Sequence, residues 1–365
     1  MIFEAAWPWI LSALFINTSH ASPPPNLGPV LQSLVQREDT ATLFNRPHVL
    51  NALFVDDHAG QRAKLKATSR MDYLQAWARA RQIDFLKVSV LVRSGPPHWI
   101  TPNRVKIYGV VSARYQYRHR LGNTTPTWFG LGVYHWYTLY WKNNQWQIAG
   151  DVFIDPLNQE TRLVGPAIPV PIRVPEFSRH HKLSPGAALA LQYARTYCGA
   201  APGCANQNRY NPRYHDYNWN GGDCTNFISQ VLHAGGLSET PAWSWDMKHD
   251  EGTSAWVNAT TLAGYLVYSE RAHLYAHGTF SQLTQSASKP IQNLQRGDLI
   301  GYYENHRTVH LAIVAGFDPD GYPLVISHSA DRFEEPWDLG WDRTTRYYFY
   351  RIHYPLIRHS GSPVG

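Results

Sequence analysis

Cysteine is scarce in this chain: 365 residues contain only Cys198, Cys204 and Cys224. Three cysteines cannot all pair within one chain, so either one thiol stays free or the chain bonds to another. Charge is sparse as well. Asp, Glu, Lys and Arg make up 16% of the residues, against ~25% in an average globular protein. No stretch reaches the ~18 uninterrupted apolar residues of a membrane-spanning helix. Aromatic side chains are abundant by contrast, with 14 Trp and 22 Tyr in a 13% aromatic fraction. That composition excludes a disordered, collagenous or coiled-coil protein, and the length suits about two domains of ~150 residues.

The formal charge of +6 is unevenly spread. Residues 61–120 hold 13 Lys/Arg against Asp72 and Asp84, whereas from residue 180 onward 14 basic residues face 16 acidic ones. The basic first half suits an anionic partner, such as a bacterial wall polymer or lipid headgroups, or no partner beyond solvent. It carries no helix-turn-helix, zinc-finger or RNP pattern, so no specific nucleic-acid reader is expected.

Residues 1–21 carry a signal-peptide pattern. The apolar run Ala5–Ile16 is too short to span a bilayer, and Ser19 and Ala21 supply small residues for cleavage. The flank departs from the pattern, with Glu4 and no Lys or Arg before the run. The expectation is a secreted or cell-wall-associated protein without a transmembrane span.

Between 45 and 155 a helical pattern capped by Ser69 gives way to β-rich runs at 85–92, 104–118, 130–141 and 145–153. Lys142-Asn143-Asn144-Gln145 reads as a tight hairpin turn. Helices followed by an antiparallel sheet make a basic α+β domain, and the arrangement resembles NTF2-like or cystatin-like domains. Six prolines between 155 and 185 mark residues 156–182 as a stiff linker that would hold the domains apart. In the second domain, 183–355, Ser184-Pro185 opens one helix, Asp223 caps a second that Gly235-Gly236 ends, and a third runs from 254 to 268. Strands are expected at 298–303, 309–317, 324–327 and 345–353.

Cys224 begins the second of these helices, where free N–H groups and the dipole favour a thiolate, so it is the position for a nucleophile. The bland alternative is a small buried side chain. Downstream, Asp318-Pro319-Asp320-Gly321 turns a hairpin that sets His310 opposite or nearly opposite His328, on one face of the sheet. One imidazole could then take the thiol proton while the other orients it. Asp223 reads as a helix cap, since a carboxylate facing the sulfur would oppose ionisation. The backbone N–H of Cys224 is one oxyanion donor by geometry; Asn218 or Asn220 is a second donor or a loop residue. Cys198 and Cys204, even with His180, His181 or His215 nearby, lack metal-site spacing. A disulfide is the better reading if the chain is exported, so neither metal nor cofactor is expected. Trp219, Trp243, Trp245, Trp256 and Trp337 read as core and rim packing rather than as a substrate groove.

Ser184-Pro185, Tyr210-Asn211-Pro212-Arg213-Tyr214, Asp223-Cys224-Thr225-Asn226-Phe227-Ile228-Ser229-Gln230, Ala234-Gly235-Gly236, Ser254-Ala255-Trp256-Val257 and Val309-His310-Leu311-Ala312-Ile313-Val314 together resemble the amidase domain family of the NlpC/P60 and CHAP superfamily. The resemblance covers about 183–355. It implies a papain-like α+β fold, with nucleophile Cys224, base His310 and orienting residue His328, cleaving a peptide or amide bond, often in cell-wall peptidoglycan. The family pattern often has a Gln-His pair where this chain has Ser327-His328. A non-catalytic wall-binding module and an amine acyltransferase using the same residues are the competing functions.

Overall fold

The computed structural model describes residues 26–154, 156–157, 164, 167–168, 172–206, 209–341 and 343–355. The signal-peptide pattern and much of the proline-rich segment lie outside them. The first half opens with α1 (Gly28–Leu43), α2 (Pro47–Leu53) and α3 (His58–Arg81). The α3 helix starts well before Ser69, because Asp57 accepts a hydrogen bond from the Gly60 N–H at 2.8 Å and caps it there. These helices cover β1 (Ile83–Ser94), β2 (His98–Thr101), β3 (Arg104–His119), β4 (Thr127–Lys142) and β5 (Gln145–Val152). Asn143 and Asn144 both adopt positive φ, as a two-residue hairpin turn between β4 and β5 requires. Leu31, Leu34, Val35 and Met71 pack on Val105, Ile107, Tyr137 and Ile148 to form this half's core.

The second half contains α4 (Glu176–Arg179), α5 (Pro185–Tyr197), α6 (Cys224–Ala234), the short strands β6 (Trp245–Asp246) and β7 (Glu251–Gly252), α7 (Ser254–Val257) and α8 (Ala259–Tyr268). The single helix expected at 254–268 is broken at Asn258, whose extended backbone separates α7 from α8 while its side chain caps Thr261. Then follow β8 (Ala272–Thr279), α9 (Phe280–Thr284), β9 (Leu299–Glu304), β10 (Arg307–Phe317), β11 (Pro323–Ser327), β12 (Asp331–Pro336) and β13 (Arg346–Ile352). Phe227, Ile228 and Val231 of α6 pack on Leu311, Ile313 and Ile326 from one face of this sheet. Ala312, Val314 and Val325 face a second core built with Trp337 and Phe349.

The halves are not held apart. One antiparallel sheet runs β1-β3-β4-β12-β11-β10-β9-β13-β8 through the whole chain. The β4 strand is long enough for two partners on one edge: β12 pairs at 130–132 and β5 at 136–142. Cys198 and Cys204 are disulfide-bonded, and the loop they close lies across this junction. A Cβ on Gly130 would sit 2.2 Å from the Pro202 carbonyl oxygen, and one on Gly132 2.5 Å from the Ala200 carbonyl carbon, so the loop fits only over glycine. Ser112 Oγ donates to the Ala200 carbonyl at 2.5 Å and the Ala200 N–H donates to Asp331 at 2.6 Å. In the loop-closure model so short a disulfide contributes about 2 kcal/mol.

Candidate active site

Two glycines with positive φ, Gly221 and Gly222, turn the chain into α6. Cys224 is the first residue of that helix and is the free cysteine, 8% exposed. It opens on a cavity of about 200 Å³ lined by Thr225, Val257, Asn258, Thr260 and Arg307 among others. The sulfur lies 3.7 Å from Thr225 Oγ1, and the Leu311 backbone N–H is directed at it. Burial pushes the Cys224 thiol above its ordinary range, and the Asp223 charge adds to this; contacts with Thr225 and Leu311 oppose it without reversing it. The expected ease of ionisation at a helix start is therefore overruled by burial. Alkylation of the native protein by iodoacetamide should accelerate steadily past pH 9, with no plateau near neutrality. A neutral-pH plateau would instead reveal an already ionised thiolate.

The two histidines are not opposed. Next to the turn, Gly316 pairs with Leu324, but a bulge between Val314 and Gly316 shifts the register, and Ile313 pairs with Ile326. Continuing that register sets Leu311, not His310, level with His328, and a shift of one residue moves a side chain to the other face. His310 accordingly meets Tyr302 and Trp341, with ring centroids 5.4 and 5.5 Å away. Its Nε2 is buried with no partner among the described residues. Burial, and then the charges of Arg332 and His328, bring its pKa down to about 3, so it is a neutral imidazole.

His328 lies on the α6 face, stacked between Phe227 at 3.9 Å and Tyr210 at 4.0 Å. Its Nδ1 is 2.6 Å from Asp223 Oδ2, and its Nε2 is 2.7 Å from the Tyr197 carbonyl oxygen. Both neighbours only accept, so both ring nitrogens carry protons. Burial opposes that charge, but the Asp223 hydrogen bond and charge outweigh it and raise the His328 pKa. His328 is thus a fixed imidazolium without a lone pair. Among the described residues, no hydrogen bond joins the Cys224 sulfur to either imidazole.

Asp223 does more than begin a helix. It makes no side-chain cap bond; Oδ1 accepts from the Tyr217 N–H and Asn226 Nδ2 while Oδ2 holds His328. The sequence signal for this role was its place beside Cys224. The polar residues of α6 are similarly committed: Asn226 accepts from Trp256, Ser229 from Trp243, and Gln230 from the Tyr193 hydroxyl. Trp243, Trp245, Trp256 and Trp337 are buried in the cores; the side chain of Trp219 lies outside the described residues. Asn218 Nδ2 donates to the Tyr210 hydroxyl at 2.7 Å, which ties it into the loop; Asn220 is exposed. Among the described residues no group of His, Cys, Asp and Glu is arranged to hold a metal ion.

This geometry lies within a recognisable segment. Residues 186–350 match the family model described as Putative amidase domain. The amidase match takes in Cys224, His310 and His328, and amide hydrolysis is the activity its description suggests. A 173-residue stretch is 30% identical to the uncharacterized protein YhbB of Bacillus subtilis (strain 168), covering 45% of this chain. The chain spans about half of that relative, 49% of its length. Solved structures similar to this chain include the intermembrane space region of the chloroplast protein ARC6, with 9% identity and a TM-score of 0.26, covering 36% of this chain and 98% of that one. A putative scytalone dehydratase from Novosphingobium aromaticivorans has 15% identity and a TM-score of 0.25, over 34% of this chain and 80% of that one. Neither likeness is strong enough to bear on fold or function.

Proposed function

We propose that residues 183–355 form a papain-like cysteine amidase that hydrolyses a peptide amide bond, with cell-wall peptide as its substrate. The observation that carries this reading is the free Cys224 thiol at the start of α6, open to a cavity. In the reaction the Cys224 sulfur bonds to the carbonyl carbon as its proton passes to an imidazole. His328 has no lone pair to receive it, so His310, with its unpartnered Nε2, is the base. Its ring now packs on Tyr302 and Trp341, on the sheet face opposite α6, so this role requires β10 to change register at His310 when substrate enters. The orphan N–H of Cys224 faces the developing oxyanion. The C–N bond then breaks, the amine leaves with the proton from His310, and water releases the acyl group as a carboxylic acid. The Asp223–His328 pair fixes the start of α6 against the sheet.

Arg307 is the fixed charge among the residues lining the cavity. It supports a substrate with a carboxylate near the scissile amide. The Cys198–Cys204 disulfide supports an oxidising compartment outside the cytosol. Three helices laid on β1–β5 support an NTF2-like first half. In that half Arg70 and Arg81 are buried on Asp39 and Asp338, while Lys87 and Arg114 line a surface depression that would offer positive charge to an anionic wall polymer.

Mass spectrometry of wall peptides incubated with the protein tests the reaction. Hydrolysis predicts two fragments whose combined mass exceeds the substrate by one water. A product joined to an added amine would show transfer instead, and an uncut panel would favour a binding module.

A further inference from the structure

The β10–β11 hairpin carries a second cleft at its far end, about 520 Å³ in volume. It borders Ala315–Phe317, whereas the cysteine cavity borders Arg307–Val309. Val309 and Ala315 are six positions apart on one strand, or ~20 Å. The cleft is therefore distinct from the candidate active site.

Three arginines line it, Arg179, Arg195 and Arg296, beside His180 and two carboxylates, Glu334 and Asp318. Both carboxylates are committed. Glu334 is held by Arg195 at 2.9 Å, and Arg195 is fixed further by the Ala315 carbonyl. Asp318 is buried, accepting from the Tyr117 hydroxyl at 3.0 Å and from the Asp320 and Tyr322 N–H groups, with His119 Nε2 at 2.6 Å. Arg179 and Arg296 have no carboxylate partner among the described residues. Arg296 donates to the His181 carbonyl, and the Nε of Arg179 is buried without any hydrogen-bond partner. That nitrogen has no exposed surface, so a ligand in the cleft would meet the other nitrogens of the Arg179 fork.

We propose that this cleft binds a ligand bearing two or more linked phosphates. Guanidinium forks match phosphate oxygens two at a time, and each phosphate brings up to two negative charges near neutral pH. A cleft this large, with two arginines that pair with no carboxylate among the described residues, leaves room for more than one such group.

The test is isothermal titration of the full chain with tripolyphosphate at ~0.15 M salt, where long-range charge effects are screened. One molecule should bind per chain, and Arg179→Gln and Arg296→Gln should each weaken binding about tenfold. Lys142→Gln, at the exposed end of β4, should leave it unchanged. Equal affinity in the cleft variants, or equal weakening by the Lys142 control, would overturn the site. Inorganic phosphate binding as tightly as tripolyphosphate would overturn the requirement for linked phosphates. Citrate binding as tightly would overturn the phosphate assignment. Unliganded melting curves of each variant separate loss of binding from loss of fold.

Discussion

Cys224→Ala is expected to abolish amide cleavage, with a fall in kcat on the order of 10⁴-fold or more, as when a covalent nucleophile is removed from a comparable arrangement. The substitution deletes one buried atom and should cost only ~1 kcal/mol of stability, so near-ultraviolet circular dichroism should be unaltered. The histidines should separate. His310→Gln removes the proton acceptor and should lower kcat about 10²- to 10⁴-fold with little change in unfolding. His328→Gln strips Asp223 of its cation in a site closed to water, and its main effect should be lost stability, about 3–5 kcal/mol. Cleavage that persists in Cys224→Ala would refute the nucleophile assignment. If His310→Gln kept full activity in a folded protein, the base would have to be sought elsewhere.

Sequence made α6 and Cys224 legible because several local signals agree there: a capping-type residue, an apolar face at helical spacing and a terminal Gly-Gly. The cysteine parity was equally readable, and Cys198 and Cys204 are bonded while Cys224 is free. The pairing of His310 with His328 was not. Position relative to a turn sets strand register only while no residue bulges, and the bulge between Val314 and Gly316 carries no distinctive sequence mark. The β12 strand was hidden for another reason. Its sequence, Asp331-Arg332-Phe333-Glu334-Glu335-Pro336, has the charge of a solvated loop. Yet Asp331 is buried among Ala200, Tyr134 and Tyr210, and Glu335 is buried on Arg332. Burial drives the carboxyls of Asp331 and Glu335 up to about 6 and about 7. Pairing of β12 with β4, about two hundred residues earlier in the chain, is a long-range contact that no local periodicity announces.

The same strand explains why the two halves should unfold together, and Asp338→Ala should reveal it most sharply. Asp338 follows β12 and is 1% exposed. Its Oδ2 accepts from Arg81 Nε at 2.6 Å and Trp77 Nε1 at 3.1 Å, both on α3 of the first half. Its Oδ1 accepts from the Tyr322 hydroxyl at 2.6 Å, in the second half. One carboxylate therefore bridges both halves in a site closed to water. Alanine would remove this carboxylate from Arg81 and orphan two further donors, at an expected cost of about 3–5 kcal/mol, a large share of the 5–15 kcal/mol typical of a folded domain. Urea denaturation followed by tryptophan fluorescence should show one transition in the wild type and one, at much lower urea, in the variant. Two separated transitions in the wild type would show that the continuous sheet does not couple the halves. A shift equivalent to less than ~1 kcal/mol would show that the bridge is not structural. Replacing Arg81 and Asp338 together by Met and Leu should recover part of the loss, because the penalty in the single variant comes chiefly from stranding a charge rather than from losing a contact.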